Sequence, residues 1–276
     1  MNIHTQTNSR YFDLSGLGLL QISGLGAAKL MQGQFSCEID GITSTHSVMG
    51  AHCNPQGRII SLFYVTRIDD DYYLIMPKAL LAIAENALKK YAPFFKATLK
   101  DATDAWHLLG ASGDEPANNV SATISLPNSH RQIRLLAAAP TQDLQDFESW
   151  QHLDIQEGIP SLYPETSGTF LPHDLNLPAL NAINFAKGCF TGQEIIARMH
   201  YRGKPKNHLY YGLADDALMP GTILYHQEQP AGTVINGCQR MHDNQYALLL
   251  MTNETTAQTK QLQTSQGSVI KLQQSE

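Results

Sequence analysis

Several features that would send this chain to a membrane or out of the cell are missing from its sequence. None of its 276 residues falls in an apolar run near the roughly 18 residues that a membrane-spanning helix requires. Tyr246–Met251 is about the longest such run and is typical of a buried strand. Met1–Arg10 is polar and lacks the hydrophobic segment of a signal peptide. We therefore expect a cytoplasmic protein that makes no membrane contact.

Cysteine is scarce, with residues only at positions 37, 53, 189 and 238 and no Cys-x-x-Cys pair. Without a secretory signal, a disulfide framework is not expected in a chain of this size. The cysteine spacing does not support a zinc site built from neighbouring pairs, and the 11 histidines include no His-x-x-x-His pair. The sequence therefore predicts no metal site.

Positively charged residues are also few: the chain has 19 Lys and Arg but 25 Asp and Glu, which gives a formal net charge of -6. A dedicated nucleic-acid binder is normally basic, so direct nucleic-acid binding is not expected. Cations are nevertheless concentrated between residues 187 and 206, where they form either a solvated helix face or an anion-binding rim. These cations are Lys187, Arg198, Arg202, Lys204 and Lys206.

The sequence does contain many short strand patterns and few helices. His46–Cys53 and Arg58–Arg67 are extended runs joined by Asn54-Pro-Gln-Gly57, which predicts a hairpin turn. After a third strand, Pro77 predicts a helix over about 78–91. Residues 112–130 are rich in Ser, Asn, Gly and Pro and are typical of an exposed loop. This order favours an α+β fold.

The pattern changes after Gly203, where short strands separated by turn residues predict a small antiparallel β-barrel. The expected strands are 208–214, 222–226, 231–235, 245–251 and 267–272. We therefore predict two regions, 1–203 and 204–276.

The stretch Lys187-Gly-Cys-Phe-Thr-Gly-Gln-Glu194, called here the KGC segment, is the predicted functional centre. Thr191 and Glu194 have the spacing of a capping box, and apolar residues follow at helical spacing. A helix should therefore begin near Gly192. Glu194 is expected to be structural, through this cap.

Cys189 lies just before this helix start, where the helix dipole favours a thiolate. Lys187 would add a full positive charge if its side chain points the same way. Gly188 and Gly192 allow unusual backbone angles and close approach by a ligand or partner. The alternative is a cysteine that only fills space, which is how we interpret Cys37, Cys53 and Cys238.

Two further side chains of this region are candidates for contacts. Gln193 leaves the first helical turn near the loop and could serve as a polar contact. Arg198, one turn further, should lie on the same side as the cationic rim.

The KGC segment with Phe190 at its centre, followed by Ala197-Arg198 and Tyr201-Arg202-Gly203, resembles the signature of the YgfZ family. These are folate-binding, tRNA-modification proteins related to the glycine cleavage T-protein, an aminomethyltransferase. Further similar landmarks cover most of residues 20–203. They are Met31-Gln-Gly-Gln34, Ala51-His-Cys-Asn54 with Gly57, the Trp150 helix ending in Glu157-Gly-Ile-Pro160, and Phe170-Leu-Pro172.

This resemblance implies a ring of three subdomains, two of them α/β and the third the C-terminal barrel, with the motif near the rim of a central channel. It implies binding of folate, in particular tetrahydrofolate, and support of iron-sulfur enzymes such as a tRNA methylthiotransferase. The motif cysteine, here Cys189, would be the key residue. Two tryptophans are associated with folate in the family; one matches Trp150, whereas the other falls at Leu17, which has no ring to stack.

Two alternatives follow from the same residues. A T-protein-like aminomethyltransferase needs a carboxylate after the first hairpin, where this chain has Ser61 and Leu62. A transient iron-sulfur carrier would need ligands beyond Cys189, because a cluster normally takes four. Direct tRNA binding through the cations of residues 187–206 is a further alternative, but these cations are expected instead to contact the glutamate tail of a folate or an acidic partner surface.

Overall fold

Strands dominate the architecture of this protein, for which a computed structural model describes residues 9–113, 119–239 and 245–273. The first elements are β1 (Arg10–Asp13), β2 (Leu17–Ser23), α1 (Ala27–Gln34), β3 (Val48–Cys53), β4 (Ile59–Ile68), β5 (Asp71–Pro77), α2 (Leu81–Lys89), β6 (Thr98–Asp101), β7 (His107–Ser112), β8 (Val120–Ser125), β9 (Arg131–Leu136), β10 (Leu144–Gln145) and α3 (Phe147–Gln156). The remaining elements are α4 (Gln193–Arg202), β11 (Asn207–Ala214), β12 (Ile223–His226), β13 (Gln229–Gln239), β14 (Tyr246–Asn253), α5 (Glu254–Ala257), β15 (Gln261–Gln263) and β16 (Val269–Leu272).

The strands form two five-stranded sheets and one closed barrel. The central sheet has the order β3-β4-β5-β2-β6, and the second sheet has the order β10-β1-β7-β9-β8. Within the central sheet the described pairs are antiparallel, whereas β1 pairs with β10 in parallel. The predicted α+β fold with a C-terminal barrel is confirmed.

The turn between β3 and β4 forms as the sequence predicts. The amide of Gly57 donates to the carbonyl of Asn54 at 2.9 Å, and Gly57 has a φ of 74°, which a residue with a side chain rarely adopts. The strands therefore pair in the expected hairpin, with Ala51 opposite Leu62.

Both faces of the central sheet are covered because its side chains alternate between two cores. In β2, Leu20 packs in a core that includes α1, α2 and Phe190 of the KGC segment. Its neighbour Leu19 points to the other face and packs in a core shared with the second sheet and Trp150. The second sheet and α3 therefore lie on the face of the central sheet opposite α1.

The barrel runs in the order β11-β14-β13-β12-β15-β16 and is closed by pairing of β16 with β11. Five of its strands follow the expected pattern, and β15 is an additional short strand in the polar C-terminal part. The predicted boundary at 203/204 falls between the end of α4 and the start of β11.

The prediction of an exposed loop over 112–130 is wrong in part, because β8 occupies Val120–Ser125 and pairs with β9. Alternate residues of β8, such as Ala122 and Ile124, are buried against the second core. Residues 114–118 of this prediction lie outside the described residues, as do most of the polar N-terminus and residues 274–276.

Among the described residues, none of the helices combines the length and the hydropathy required to cross a membrane.

Candidate functional site

The KGC segment is attached to the end of α1 by its lysine. Lys187 is only 8% exposed, and its ammonium donates to the carbonyls of Phe35 at 2.7 Å and Cys37 at 2.6 Å. A cation is favourable at the C-terminal end of a helix, where carbonyls point outwards. Burial lowers the pKa of Lys187, which Cys37 partly opposes.

Lys187 therefore does not point at Cys189, and its prediction as a thiolate stabiliser is corrected. The carbonyls at the end of α1 supply the hydrogen bonds that a buried ammonium needs. Next to the exposed thiol of Cys189, the ammonium would instead remain in water. The lysine fixes the loop in place, with its ammonium 5.4 Å from the ring centre of Phe190.

The predicted capping box is also wrong. The hydroxyl of Thr191 donates to Oε1 of Gln34 at 3.2 Å, and its amide donates to the carbonyl of Gly33 at 3.1 Å. Helix α4 is capped instead by Gly192, without any side-chain hydrogen bond, and Glu194 is exposed. The segment thus contacts the Gln-Gly-Gln landmark of α1, far away in the sequence.

Gly192 is the residue that brings the hairpin turn against the KGC segment. Its φ of 84° is left-handed, and a Cβ there would lie 2.6 Å from the carbonyl oxygen of Asn54 and 3.0 Å from Cα of Gly57. Gly188 differs, because no atom lies within 4 Å of a Cβ built on it and its φ is not left-handed. Of the two glycines, only Gly192 therefore occupies a position that requires the absence of a side chain.

Cys189 is exposed, whereas Cys37, Cys53 and Cys238 are buried. Burial raises the pKa of each of these three thiols to about 12. Their assignment to the core is confirmed, and Cys189 differs from them in being open to solvent on an anchored loop.

The other candidate residues of this region lie mostly on the surface. Arg198 and Arg202 are exposed on α4, and Gln193 is half-buried with its backbone amide donating to the carbonyl of Phe190 at 3.1 Å. Lys204 and Lys206 line an open cavity of about 430 Å³ together with Arg58 and His173. Lys187 does not belong to this cationic surface, because its ammonium is bound at the end of α1.

Trp150 and Leu17 line one cavity. The cavity lies where the central sheet, the second sheet and α3 meet, and its wall is largely apolar. Asp146 caps the N-terminus of helix α3, where its side chain accepts a hydrogen bond from the amide of Ser149 at 2.7 Å. The edge of Phe12 lies against the Trp150 ring, with centroids 5.4 Å apart.

An ion-pair cluster also contacts Trp150. The guanidinium of Arg131 lies 4.3 Å from the Trp150 ring centre and contacts Asp154 and Glu157, each at 2.7 Å. Burial raises the pKa of Asp154 to about 6, although Arg131 opposes the shift. Asp154 also lines the cavity, one helical turn after Trp150.

Three of these residues are not predicted from the sequence. Asp154 could have been found, because it stands four residues after Trp150 and so on the same helix face. Arg131 begins a strand, and the hydroxyl of Tyr64 in β4 is buried in the cavity wall without a hydrogen-bond partner among the described residues. Nothing in their local sequence indicates these environments.

At the position where the T-protein has its carboxylate, this chain has Ser61 and Leu62 and therefore no carboxylate. Ser61 is 1% exposed, and Leu62 lines the cavity with its apolar side chain. Across residues 9–113, 119–239 and 245–273, no three His, Cys, Asp or Glu side chains gather into a group that could hold a metal ion.

The residue types that line the cavity would suit a folate ring, but the cavity would have to widen to admit one. Aromatic and aliphatic walls with a few buried polar groups are typical of small-molecule sites. The cavity holds about 30 Å³, enough for roughly two waters at ~10–15 Å³ each. Met49 and Met76 are part of the wall, and methionine side chains adapt readily to a ligand.

Comparison with known proteins identifies the fold and the family of this chain. Residues 3–150 match the GCVT N-terminal domain family. The crystal structure of glycine cleavage system aminomethyltransferase T from Bartonella henselae superposes with a TM-score of 0.68 at 14% identity, covering 97% of this chain and 85% of that chain. At that identity the similarity shows the fold alone.

Relatives found by sequence similarity identify the family more closely. An uncharacterized protein of Haemophilus influenzae is 33% identical over 206 residues, 73% of this chain and 72% of that protein. The tRNA-modifying protein YgfZ of Colwellia psychrerythraea is 31% identical over 225 residues, with 72% and 69% covered. That of Yersinia pestis (strain Pestoides F) is 27% identical over 280 residues, with 88% and 84% covered. The chain belongs to the YgfZ family, which carries a GCVT N-terminal domain.

Proposed function

We propose that this protein binds a folate, in particular tetrahydrofolate, in the cavity beside Trp150 and supports tRNA modification. The observation that carries the proposal is that Leu17 and Trp150, far apart in the sequence, line the same cavity. The names of the YgfZ relatives and the aminomethyltransferase fold support it. Trp150 and Leu17 would contact the folate ring, and Met49 and Met76 would move to admit it.

Replacing Leu17 with tryptophan is expected to tighten folate binding by about three- to tenfold. An aromatic pair contributes about 0.5–1.5 kcal/mol beyond the area it buries, and Leu17 supplies no ring. Leu17 is half-buried, so the larger side chain does not have to fit a closed core. Calorimetric titration of both proteins with tetrahydrofolate measures the difference.

Leu25→Trp is the matched control, because Leu25 is 96% exposed and an indole there adds only exposed apolar surface. Equal tightening by both variants, or no tightening by Leu17→Trp, would contradict the assignment of this cavity. Absence of any folate binding by the unaltered protein would refute the proposed function itself.

The second half of the proposal concerns Cys189. We infer that its exposed thiol acts in maintaining iron-sulfur enzymes, such as a tRNA methylthiotransferase, through thiol chemistry or transient capture. The support is its exposure on a loop that Lys187 and Thr191 anchor to α1. A fixed backbone and a free thiol together suit repeated contact with a partner protein.

Cys189→Ser is expected to leave the fold and folate affinity unchanged but to fail in a strain from which the gene for this protein is deleted. A serine hydroxyl keeps the size of the thiol without its nucleophilicity or its affinity for iron. The measurement is the amount of methylthio-modified nucleoside in tRNA, which should stay at the level of the empty vector.

Cys238→Ala serves as the control, since it removes a buried thiol in the barrel and should restore modification as long as it folds. Full restoration by Cys189→Ser would disprove the role of the thiol.

Aminomethyl transfer is the second candidate, favoured by the structural neighbour and by Asp154, a carboxylate in the cavity wall. Asp154 is already engaged by Arg131, and Ser61 and Leu62 supply no proton acceptor, so we favour the accessory role. A transient cluster on Cys189 would require ligands from a partner.

A further inference from the structure

Two large apolar side chains protrude from the surface near the start of α1. Leu25 is 96% exposed and Phe94 is 84% exposed, the two highest values among the exposed large hydrophobic residues of the described chain. Single exposed apolar residues are ordinary on a protein surface, whereas neighbouring ones form a patch that usually has a partner.

Close backbone packing brings these two residues together. A Cβ on Gly26 would overlap the carbonyl oxygen of Phe95, so the loop that carries Leu25 runs directly against the turn that carries Phe94. That turn is hydrogen bonded, because the amide of Phe94 donates to the carbonyl of Tyr91 at 3.1 Å. Both apolar side chains therefore stand on packed backbone.

The segments that carry this patch are basic, although the chain as a whole is acidic. Residues 24–37 and 86–100 contain five lysines but no Asp, Glu or Arg, in a chain with 25 acidic and 19 basic residues. All five lysines are exposed, and none forms an ion pair with a described residue. They are Lys29, Lys89, Lys90, Lys96 and Lys100. With Leu25 and Phe94 they form a surface, called here the basic apolar patch, that is complementary to an apolar pocket bordered by Asp and Glu.

The outer face of α1 connects the basic apolar patch to the thiol of Cys189. Leu25, Lys29 and Gly33 are spaced four residues apart, so they lie along one side of the helix. Lys29 is exposed, and a Cβ on Gly33 would meet no atom within 4 Å, so this side is open to solvent. At its far end, the carbonyl of Gly33 accepts from the amide of Thr191 in the KGC segment at 3.1 Å.

The distance between the two ends suits a single partner protein. Helix α1 has eight residues and is therefore about 12 Å long. A protein interface of ordinary size covers about 800 Å² on each partner, which is a disc roughly 30 Å across. One partner can thus cover the basic apolar patch and still reach Cys189.

We propose that the basic apolar patch is the docking surface for the iron-sulfur enzyme that Cys189 serves, with an acid-rimmed apolar pocket of that enzyme receiving Leu25 and Phe94. The inference rests on the proposed role of Cys189 and deepens it, because it assigns where the partner binds. The lysines steer the acidic rim of the enzyme into place, and the two apolar side chains hold it there.

A protein fits this patch better than a nucleic acid or a membrane does. Leu25, the more exposed of the two apolar residues, has no ring to stack on a base, and the patch has no arginine to do so. An anionic membrane would attract the five lysines but would repel the rest of a chain whose net charge, with these lysines included, is -6.

Phe94→Asp tests the docking surface directly. Because the Phe94 side chain is largely exposed, its replacement should leave the urea midpoint, the affinity for tetrahydrofolate and the alkylation rate of Cys189 unchanged. Binding to the purified tRNA methylthiotransferase of the same organism, measured by biolayer interferometry, should weaken about 30-fold. That factor corresponds to the loss of one anchor of about 2 kcal/mol at the centre of an interface.

Met219→Asp is the matched control, because it introduces the same charge at another apolar residue, 67% exposed, on the barrel side of the chain. It should bind the methylthiotransferase as the unaltered protein does. Lys29→Glu tests the basic part of the patch: association should slow several-fold and become less sensitive to salt.

The outcomes separate this inference from the proposed function. No binding of the methylthiotransferase by the unaltered protein, or equal binding by Phe94→Asp, overturns the docking surface and leaves folate binding to its own test. Loss of binding to phosphatidylserine vesicles or to tRNA in Phe94→Asp, with enzyme binding kept, would assign the patch to a membrane or a nucleic acid instead. Weaker enzyme binding by Phe94→Asp, at unchanged stability and folate affinity, supports the inference. Full restoration of tRNA modification by Cys189→Ser would refute the role of the thiol, whereas the docking measurement would stand.

Discussion

Arg131→Met is expected to lower the free energy of unfolding at pH 8 by about 3–5 kcal/mol. The Arg131 side chain is 2% exposed and pairs with Asp154 and Glu157 while covering one face of Trp150. Methionine keeps much of the volume but leaves the buried carboxylate of Asp154 without its counter-charge. Breaking a buried pair from one side is costly for this reason, even where the intact pair stabilises little.

The loss should be smaller at pH 5 than at pH 8. Asp154 in the folded protein has a pKa raised from 3.8 to about 6, so its contribution to stability is present at low pH and falls as the pH rises through 6. Removal of Arg131 raises this pKa further, so the variant continues to lose stability at higher pH, where the unaltered protein no longer does. Urea unfolding at both pH values measures the difference.

Arg67→Met is the control, because the pair between Arg67 and Asp70 is at the surface, with side chains 38% and 100% exposed. Its effect should be far smaller, since exposed pairs are screened by water. Similar losses for both variants would show that the Arg131 cluster contributes no more to the free energy of unfolding than an exposed ion pair does.

Gly192→Ala is expected to cost about 3 kcal/mol of stability and to abolish support of tRNA modification. A non-glycine residue at a left-handed φ costs about 1–2 kcal/mol, and overlap in a packed site adds about 1–3 kcal/mol. The overlap here is with backbone of the hairpin turn, which has no rotamer to yield. The KGC segment would have to move away from the turn and take Cys189 with it.

Gly188→Ala is the matched control, because Gly188 belongs to the same segment but has open space where a Cβ would be added. Its φ is not left-handed, so alanine should be nearly silent in stability and should still support tRNA modification. Urea unfolding and the nucleoside assay apply to both variants. Equal losses at the two positions would contradict the packing described for Gly192.

Much of the fold can be predicted because local patterns and tertiary packing agree. The turn at Asn54–Gly57 needs only proline and glycine chemistry, and α2 follows from its apolar face after Pro77. The barrel strands show the same agreement between turn residues and alternation. Within the KGC segment, the sequence correctly separates Cys189 from the three buried cysteines.

The failures occur where distant residues compete with local ones. Thr191 has the spacing of a helix cap, but Gln34 and Gly33 of α1 take its hydroxyl and amide. Lys187 stands two positions from Cys189, yet the carbonyls of Phe35 and Cys37 hold its ammonium. No local pattern contains these partners, so only the assembled fold shows them.

The division of the cysteines into one exposed and three buried has a practical consequence for finding the partner. A thiol-directed label applied to the folded protein should attach at Cys189, since the other three thiols are shielded and have a pKa of about 12. The unaltered chain therefore behaves as a single-cysteine reagent. A cross-linker placed on that sulfur reports whatever docks on the KGC segment, with no need for a cysteine-free background.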